Sequence, residues 1–405
     1  MNQLKNIIYL AWLVLGTLWC GQALAASSDA PYKIVVFAPQ LDTYLVENDF
    51  SRLFQANLEE HWQDKSVELR SLPANGLHDP GVITKTLEEL ASDPLIRAVV
   101  ASECPVGSID GFARLRTRRP DILLIAMDPH EDLVMMSKVA TLTLALNHQA
   151  RGFFYPALAQ RMGARSLIYF SFPRYLKIPD LARQHRIFQS VTRDMNMILV
   201  NDLTGPDPAD PGVSPADIEK YLEYKMDRYL QQYGPDTAFV ATSTSYTEAL
   251  VPLAMRKGGN VLEAIMPSLL LGFPVALDIE ENALALFGHW RKLLAVEDEK
   301  IMSMDLPGNY ATWVYPYPQT AVLAITEIVI SAIEEQTDIY DLQRLDATLE
   351  KYSPGVKWLV SLVADNEKES AFAQAVLLLQ DTYWFGHGFQ GFPLQKIPSR
   401  YLRMK

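Results

Sequence analysis

Cysteine is nearly absent: Cys20 and Cys104 are the two in 405 residues. Cys20 falls in what reads as a cleavable leader, so the mature chain keeps Cys104 alone and cannot close a disulfide within itself; its stability must come from packing. Basic charge is also short. The leader carries Lys5 and no acid, which leaves 35 basic residues against 48 acidic ones, a net charge near −13. That balance opposes phosphate backbones and anionic lipid surfaces, and it excludes nucleic acid as a natural partner. The basic run from Arg114 to Arg119 reads as a solvated helix end. Beyond the N-terminus no apolar stretch approaches the ~20 residues that a membrane-spanning helix needs. Enzyme signatures are missing too: no Gly-x-Ser-x-Gly elbow, no His-Glu-x-x-His pair and no phosphate-cradling Gly-x-x-x-x-Gly-Lys loop occur.

What is present starts with an address. Lys5 precedes an apolar run from Ile7 to Trp19, which gives way to Gln22-Ala-Leu-Ala25. A positive start, a short apolar core and a small-residue exit predict a secretory signal over 1–25, cleaved after Ala25 and followed by life in the periplasm. A membrane anchor is the competing reading, and the run is short for one. Lipid attachment at Cys20 would want a small residue before it, where Trp19 stands. After cleavage, no direct membrane insertion is expected.

The remainder alternates between two patterns. Continuous apolar runs at 33–38, 97–101 and 121–127 predict buried strands, and the alternating Ser66–Arg70 predicts one nearer an edge. Helical stretches lie between them, around 45–62, 80–91 and 108–118. The pattern then repeats, with strands at 166–171, 197–201 and 237–241. In 178–195, Leu181, Phe188, Val191 and Met195 share one helical face. The helix from 215 opens on Ser214-Pro-Ala-Asp217, a capping hydroxyl, a first-turn proline and an acid at the third position. Strand–helix alternation of this kind implies parallel sheets flanked by helices. The expected fold is therefore α/β with two similar lobes, 31–143 and 144–275. A helical C-terminal region, 276–405, is expected to cross back over the first lobe, with helices at 282–296, 317–335, 340–351 and 366–380.

Ligands of open parallel sheets sit beyond the carboxyl ends of the strands, so the residues just past each strand are the candidates. In the first lobe these are Gln40 and Asp42, then Ser102, Glu103 and Cys104, then Asp128, His130 and Glu131. In the second they are Ser171 to Tyr175, Asn201, Asp202 and Asp207, and Thr242 to Tyr246. From these, a small polar solute would be bound by Gln40, Glu103 and Asp128 on one wall, and by Ser171, Phe172, Arg174, Asp207, Ser243 and Tyr246 on the other. Arg174 has the geometry to clamp an anion, or to pair with Asp202 or Asp207 instead. For Phe172, Tyr175 and Tyr246, packing competes with ligand stacking. Cys104 with His130 or His148 as its base, and a metal at Asp128, His130, Glu131 and Asp132, are the enzymatic alternatives. No cofactor is expected. The aromatic, glycine-rich tail around His387 suggests docking onto the body.

Ser171-Phe-Pro-Arg174, Gly205-Pro-Asp-Pro208 leading to Asp210-Pro-Gly-Val-Ser214, Tyr233-Gly-Pro-Asp-Thr-Ala-Phe239 and Leu271-Gly-Phe-Pro274 resemble an uncharacterised bacterial family of exported proteins. Its members look like type I periplasmic binding proteins, the sugar-binding-protein type. Asn147 followed by Arg151-Gly152 resembles the point where such proteins pass between lobes. The resemblance implies capture of a small solute for an ABC-type transporter permease, or its presentation to a membrane sensor.

Overall fold

The structure is a computed structural model that describes residues 31–37, 47–62, 66–73, 79–263, 266–306, 308–363 and 375–402. The leader with Cys20, and the candidates Gln40 and Asp42, lie outside the described residues.

The fold is α/β, with parallel sheets flanked by helices. In the first sheet β1 (Lys33–Phe37), β2 (Val67–Arg70), β3 (Ile96–Ala101), β4 (Leu123–Met127) and β5 (Leu142–Leu146) lie side by side in the order β5-β4-β3-β1-β2, all parallel. Strands covered on both faces read as near-continuous apolar runs, and β4 does, as does β3 after Arg97. At the edge, β2 has every residue partly exposed, in keeping with its alternating sequence.

After β5 the chain crosses to a second parallel sheet. It contains β6 (Ser166–Phe170), β7 (Ile198–Asp202), β8 (Ala238–Ala241) and β9 (Asn260–Val261), in the order β7-β6-β8-β9. Two of the helices that pack it are those read from periodicity, and His148–Arg161 and Thr244–Lys257 are two that were not. Leu181, Phe188 and Val191 of helix Pro179–Asp194 are buried. Helix Pro215–Tyr233 starts with a capping box, in which Ser214 and Asp217 satisfy one another's backbone N–H.

The C-terminal part departs from expectation. Helix 282–296 is broken at Gly288, whose φ of +80° suits glycine, into Glu280–Ala285 and Trp290–Ser303. The expected helix at 366–380 is corrected: 366–374 lie outside the described residues, and Ala375–Gln380 is a strand. A short apolar run such as Ala-Val-Leu-Leu-Leu has no periodicity to separate helix from strand, and here distant partners decide. After the short β10 (Ala311–Thr312), β11 (Trp358–Leu362) and β12 (Ala375–Gln380) complete the first sheet. There β12 runs parallel to β5, and β11 lies antiparallel outside it. Helix Tyr317–Glu334 is buried nearly all round between β3 and helix Leu342–Tyr352, which explains its scarcity of charge.

The chain thus passes between the two sheets three times: after β5, between β9 and helix Tyr317–Glu334, and after β12. β10 pairs with β13 (Tyr383–Trp384), which pairs with β14 (Gly388–Phe389), so the second and third passages are joined by a small antiparallel sheet. The terminal helix Ser399–Leu402 returns to helices His148–Arg161 and Pro179–Asp194.

Candidate functional site

Parallel strands deliver the residues at their carboxyl ends to one edge of each sheet. At the end of β4, Asp128 takes a left-handed conformation (φ 44°), which Asp tolerates better than most residues. Its Oδ1 accepts the Leu146 amide at 2.9 Å, tying the ends of β4 and β5 together. Beside it, His130 Nε2 meets Glu103 Oε1 at 3.1 Å. Burial works against charge on that imidazole, but the Glu103 carboxylate outweighs it and raises the histidine. At the end of β5, Asn147 Oδ1 accepts the Ala150 amide at 2.9 Å and starts helix His148–Arg161.

One turn into that helix stands Arg151, with no solvent exposure. Its guanidinium donates to Glu263 Oε1 at 3.2 Å and to the Tyr155 hydroxyl, and lies 5.3 Å from the Trp313 ring centroid. Glu263 Oε2 accepts from Thr382 Oγ1 at 2.6 Å. Burial raises the Glu263 carboxyl even with Arg151 beside it. Arg151 belongs to the first passage between the sheets, Glu263 and Trp313 to the second, and Thr382 to the third. All three therefore meet at one buried ion pair.

Around this pair lie polar groups that the described residues leave without a full set of hydrogen bonds. His148 Nδ1 is buried without a hydrogen-bond partner among the described residues, and the buried Asp128 Oδ2 and the hydroxyls of Tyr317 and Tyr169 make no direct hydrogen bond of good geometry, though Tyr317 faces Asp128 and Tyr169 faces Ser171. Arg151 contributes to the field at His148, Tyr169 and Tyr317, and Asp128 and Tyr317 face one another. Burial, aided by Arg151, lowers His148 to about 3, which keeps its ring neutral. Burial pushes the Asp128 carboxyl up to about 7 and the Tyr169 phenol up to about 12. A buried polar group costs ~1–3 kcal/mol when left unpaired, so several in one place mark somewhere that another molecule supplies the bonds. Neutral donors and acceptors with aromatic surface can fix the orientation of a small polar solute.

The residues read from sequence divide by position. Asp128 stands in this cluster. Glu103, with His130, lines the first-sheet edge beside it. Ser171, buried, accepts from Thr242 Oγ1 at 2.8 Å. Arg174 is rim-exposed: its Nε meets Asp207 Oδ2 at 2.8 Å, its guanidinium lies 4.2 Å from the Tyr175 ring centroid, and it contributes to the field at His130 across the gap. Asp207 also holds the Ala209 amide at 3.0 Å. Phe172 and Tyr246 meet edge to face at 5.0 Å within the second-sheet core, and Tyr246 donates its hydroxyl to Pro206 O at 2.9 Å, so both are engaged in packing. Ser243 occupies the N-cap position of helix Thr244–Lys257. Asp202 takes hydrogen bonds from Tyr221, Tyr229, Lys225 and Thr204, which outweigh burial and hold it well below the usual carboxylate range.

Sequence reasoning missed Tyr169, Trp313, Tyr317, Glu263 and Thr382, and met His148 only as a base for Cys104. The aromatic run Trp313-Val-Tyr-Pro-Tyr317 was the available signal. Burial drives the Cys104 thiol up, away from thiolate. Glu131 and Asp132 hold the Ile109 and Met135 amides at helix N-termini. Among the described residues no group of three or more His, Cys, Asp or Glu could hold a metal ion.

Two parallel α/β lobes joined by three passages define the type I periplasmic-binding-protein-like fold. Within it, the chain belongs to the family described as protein of unknown function DUF3798, whose model matches residues 32–310. An uncharacterised protein of Treponema pallidum (strain Nichols) is 30% identical over 175 residues, 43% of this chain and 80% of the relative. Among solved structures, a proposed transcriptional regulator from Clostridium difficile 630 superposes with a TM-score of 0.67 at 15% identity, covering 88% of this chain and 99% of that one. That likeness shows the fold. A sugar ABC transporter protein from Actinomyces odontolyticus ATCC 17982 reaches a TM-score of 0.49 at 9% identity, over 91% and 100% of the two chains.

Proposed function

We propose that the protein is an extracytoplasmic solute-binding protein that encloses a small polar molecule between its two lobes. Its partner would be a membrane transporter permease, or a sensor reading the same closed form. One observation carries this reading: buried polar groups of His148, Tyr169 and Tyr317 that make no direct hydrogen bond of good geometry stand in the field of the Arg151–Glu263 pair where all three passages meet, with Asp128 facing Tyr317. A protein that works alone gains nothing from leaving them unsatisfied. Glu103 and His130, with Arg174 and Asp207 opposite, would form the rim, and Ser171 the floor of the second wall. Closure would pivot on the three passages, as in hinge-closing binding proteins. The extracytoplasmic setting rests on the secretory signal read over 1–25. Among the described residues no helix is long and apolar enough to cross a membrane.

The test is to purify the mature chain gently from its host, denature it, and identify released small molecules by mass spectrometry. A polar solute near one equivalent is expected. An empty protein that also shows no thermal shift across sugars, amino acids and nucleosides would remove the proposal.

A further inference from the structure

A cavity of about 360 Å³ opens at the seam between the lobes, lined by residues other than the Arg151 cluster. First-lobe elements supply Asn57, Gln319 and Lys351, and the second lobe supplies His289, Arg291 and Lys292. The lining holds these four basic residues and no acid. Lys351 is paired with Glu327 at 2.6 Å, whereas Arg291 and Lys292 enter no salt bridge among the described residues. Both stand in the first turn of helix Trp290–Ser303, where a cation opposes the helix dipole. Helix Tyr317–Glu334 brings its own first turn, with Gln319 and Thr320, to the same cavity. Neither helix has a capping side chain, and neither carries an acid in its first turn. Two uncapped N-termini with added cations are arranged to hold an anion.

Gln319 narrows the choice of anion. It is 2% exposed, and its Nε2 donates to Asn57 Oδ1 at 2.7 Å. With Nε2 so engaged, its Oε1 is left buried without a partner among the described residues. A carbonyl oxygen repels a bare anion oxygen and requires a donor. We infer that this cavity binds a small oxyanion that also carries an O–H group, as protonated phosphate does, and that it is a site separate from the solute cleft.

Inorganic phosphate and sulfate, titrated separately into the full mature protein by calorimetry at neutral pH, test this. Sulfate has similar size and charge but no O–H. Phosphate is expected to bind, with sulfate at least about tenfold weaker, since a missing donor leaves Oε1 unpaired. Lys292→Ala and Arg291→Ala, at exposed positions, are each expected to weaken phosphate about tenfold with an unfolding temperature that does not fall. Lys292→Ala stands on its own if Arg291→Ala, whose guanidinium lies against the Phe389 ring, fails to fold. Phosphate that gives no heat, sulfate that binds equally well, or phosphate affinity unchanged in Lys292→Ala would each overturn the inference.

Discussion

Two arginine–carboxylate pairs serve the two lobes in opposite ways. Arg151 and Glu263 are 0% and 2% exposed, at the junction of the three passages. Arg174 and Asp207 are 42% and 33% exposed, on the rim of the second lobe. Chemically they are the same interaction. Their surroundings make the first part of the architecture, and leave the second free to exchange partners. A buried pair repays its desolvation only with good geometry and further hydrogen bonds, which Tyr155 and Thr382 supply, and losing one member strands the other's charge. An exposed pair contributes ~0–1 kcal/mol, because water competes for both groups.

The largest effect comes from breaking the inner pair. Glu263→Gln leaves the Arg151 charge buried and uncompensated, and is expected to cost roughly 3–5 kcal/mol in urea unfolding. Arg151→Met combined with Glu263→Leu is expected to cost less than Glu263→Gln alone. If the double variant is the worse of the two, the pair is more than a desolvated charge with its counter-ion.

A smaller effect, with a sign set by pH, is expected at Asp128. Its folded pKa, about 7, lies above the ordinary carboxylate value, so the folded state holds the proton more tightly than the unfolded one. That contribution is complete below about pH 4, where both states are protonated. It is lost as pH rises towards 7 and stays lost above. Asp128→Asn keeps an acceptor for the Leu146 amide and tolerates the left-handed backbone. Relative to the wild type it is expected to gain on the order of 1–2 kcal/mol at pH 8, allowing for residual solvent access, and little at pH 4. Thermal unfolding at the two pH values checks this, and an equal gain at both would show that the Asp128 proton is not the cause.

The smallest effect belongs to the rim. Arg174→Ala is expected to change stability by about 0–1 kcal/mol, within what an exposed pair contributes. A loss comparable to that of Glu263→Gln would erase the distinction between the two pairs.

The same contrast explains what the sequence made legible. The strands β1, β3, β4, β6 and β8 and the helices after Pro179 and Pro215 declare themselves through local pattern: apolar runs, a shared helical face, a capping box. Arg174 and Asp128 were also visible, because they stand just past strands. β12 was misread as helix, since its partners β5 and β11 are what make it a strand. The inner cluster depends wholly on such distant meetings. Arg151 and Glu263 are 112 positions apart, and Glu263 and Thr382 are 119 apart. Tyr169 sits in an apolar run and Tyr317 at the start of an apolar helix, where each looks like packing. Only the crossing of three passages turns them into a polar centre.

The most direct test compares the solute content of three preparations made in parallel: wild type, Arg174→Ala, and Asp128→Asn with Tyr317→Phe. Released small molecules are quantified by mass spectrometry against protein, after cooperative unfolding has been confirmed for each. The account predicts about one equivalent from wild type, most of it retained in Arg174→Ala, and nearly none in the double variant. A double variant that keeps its full complement of solute, or an Arg174→Ala protein that alone loses it, would contradict the assignment of the binding centre to the cluster around Arg151.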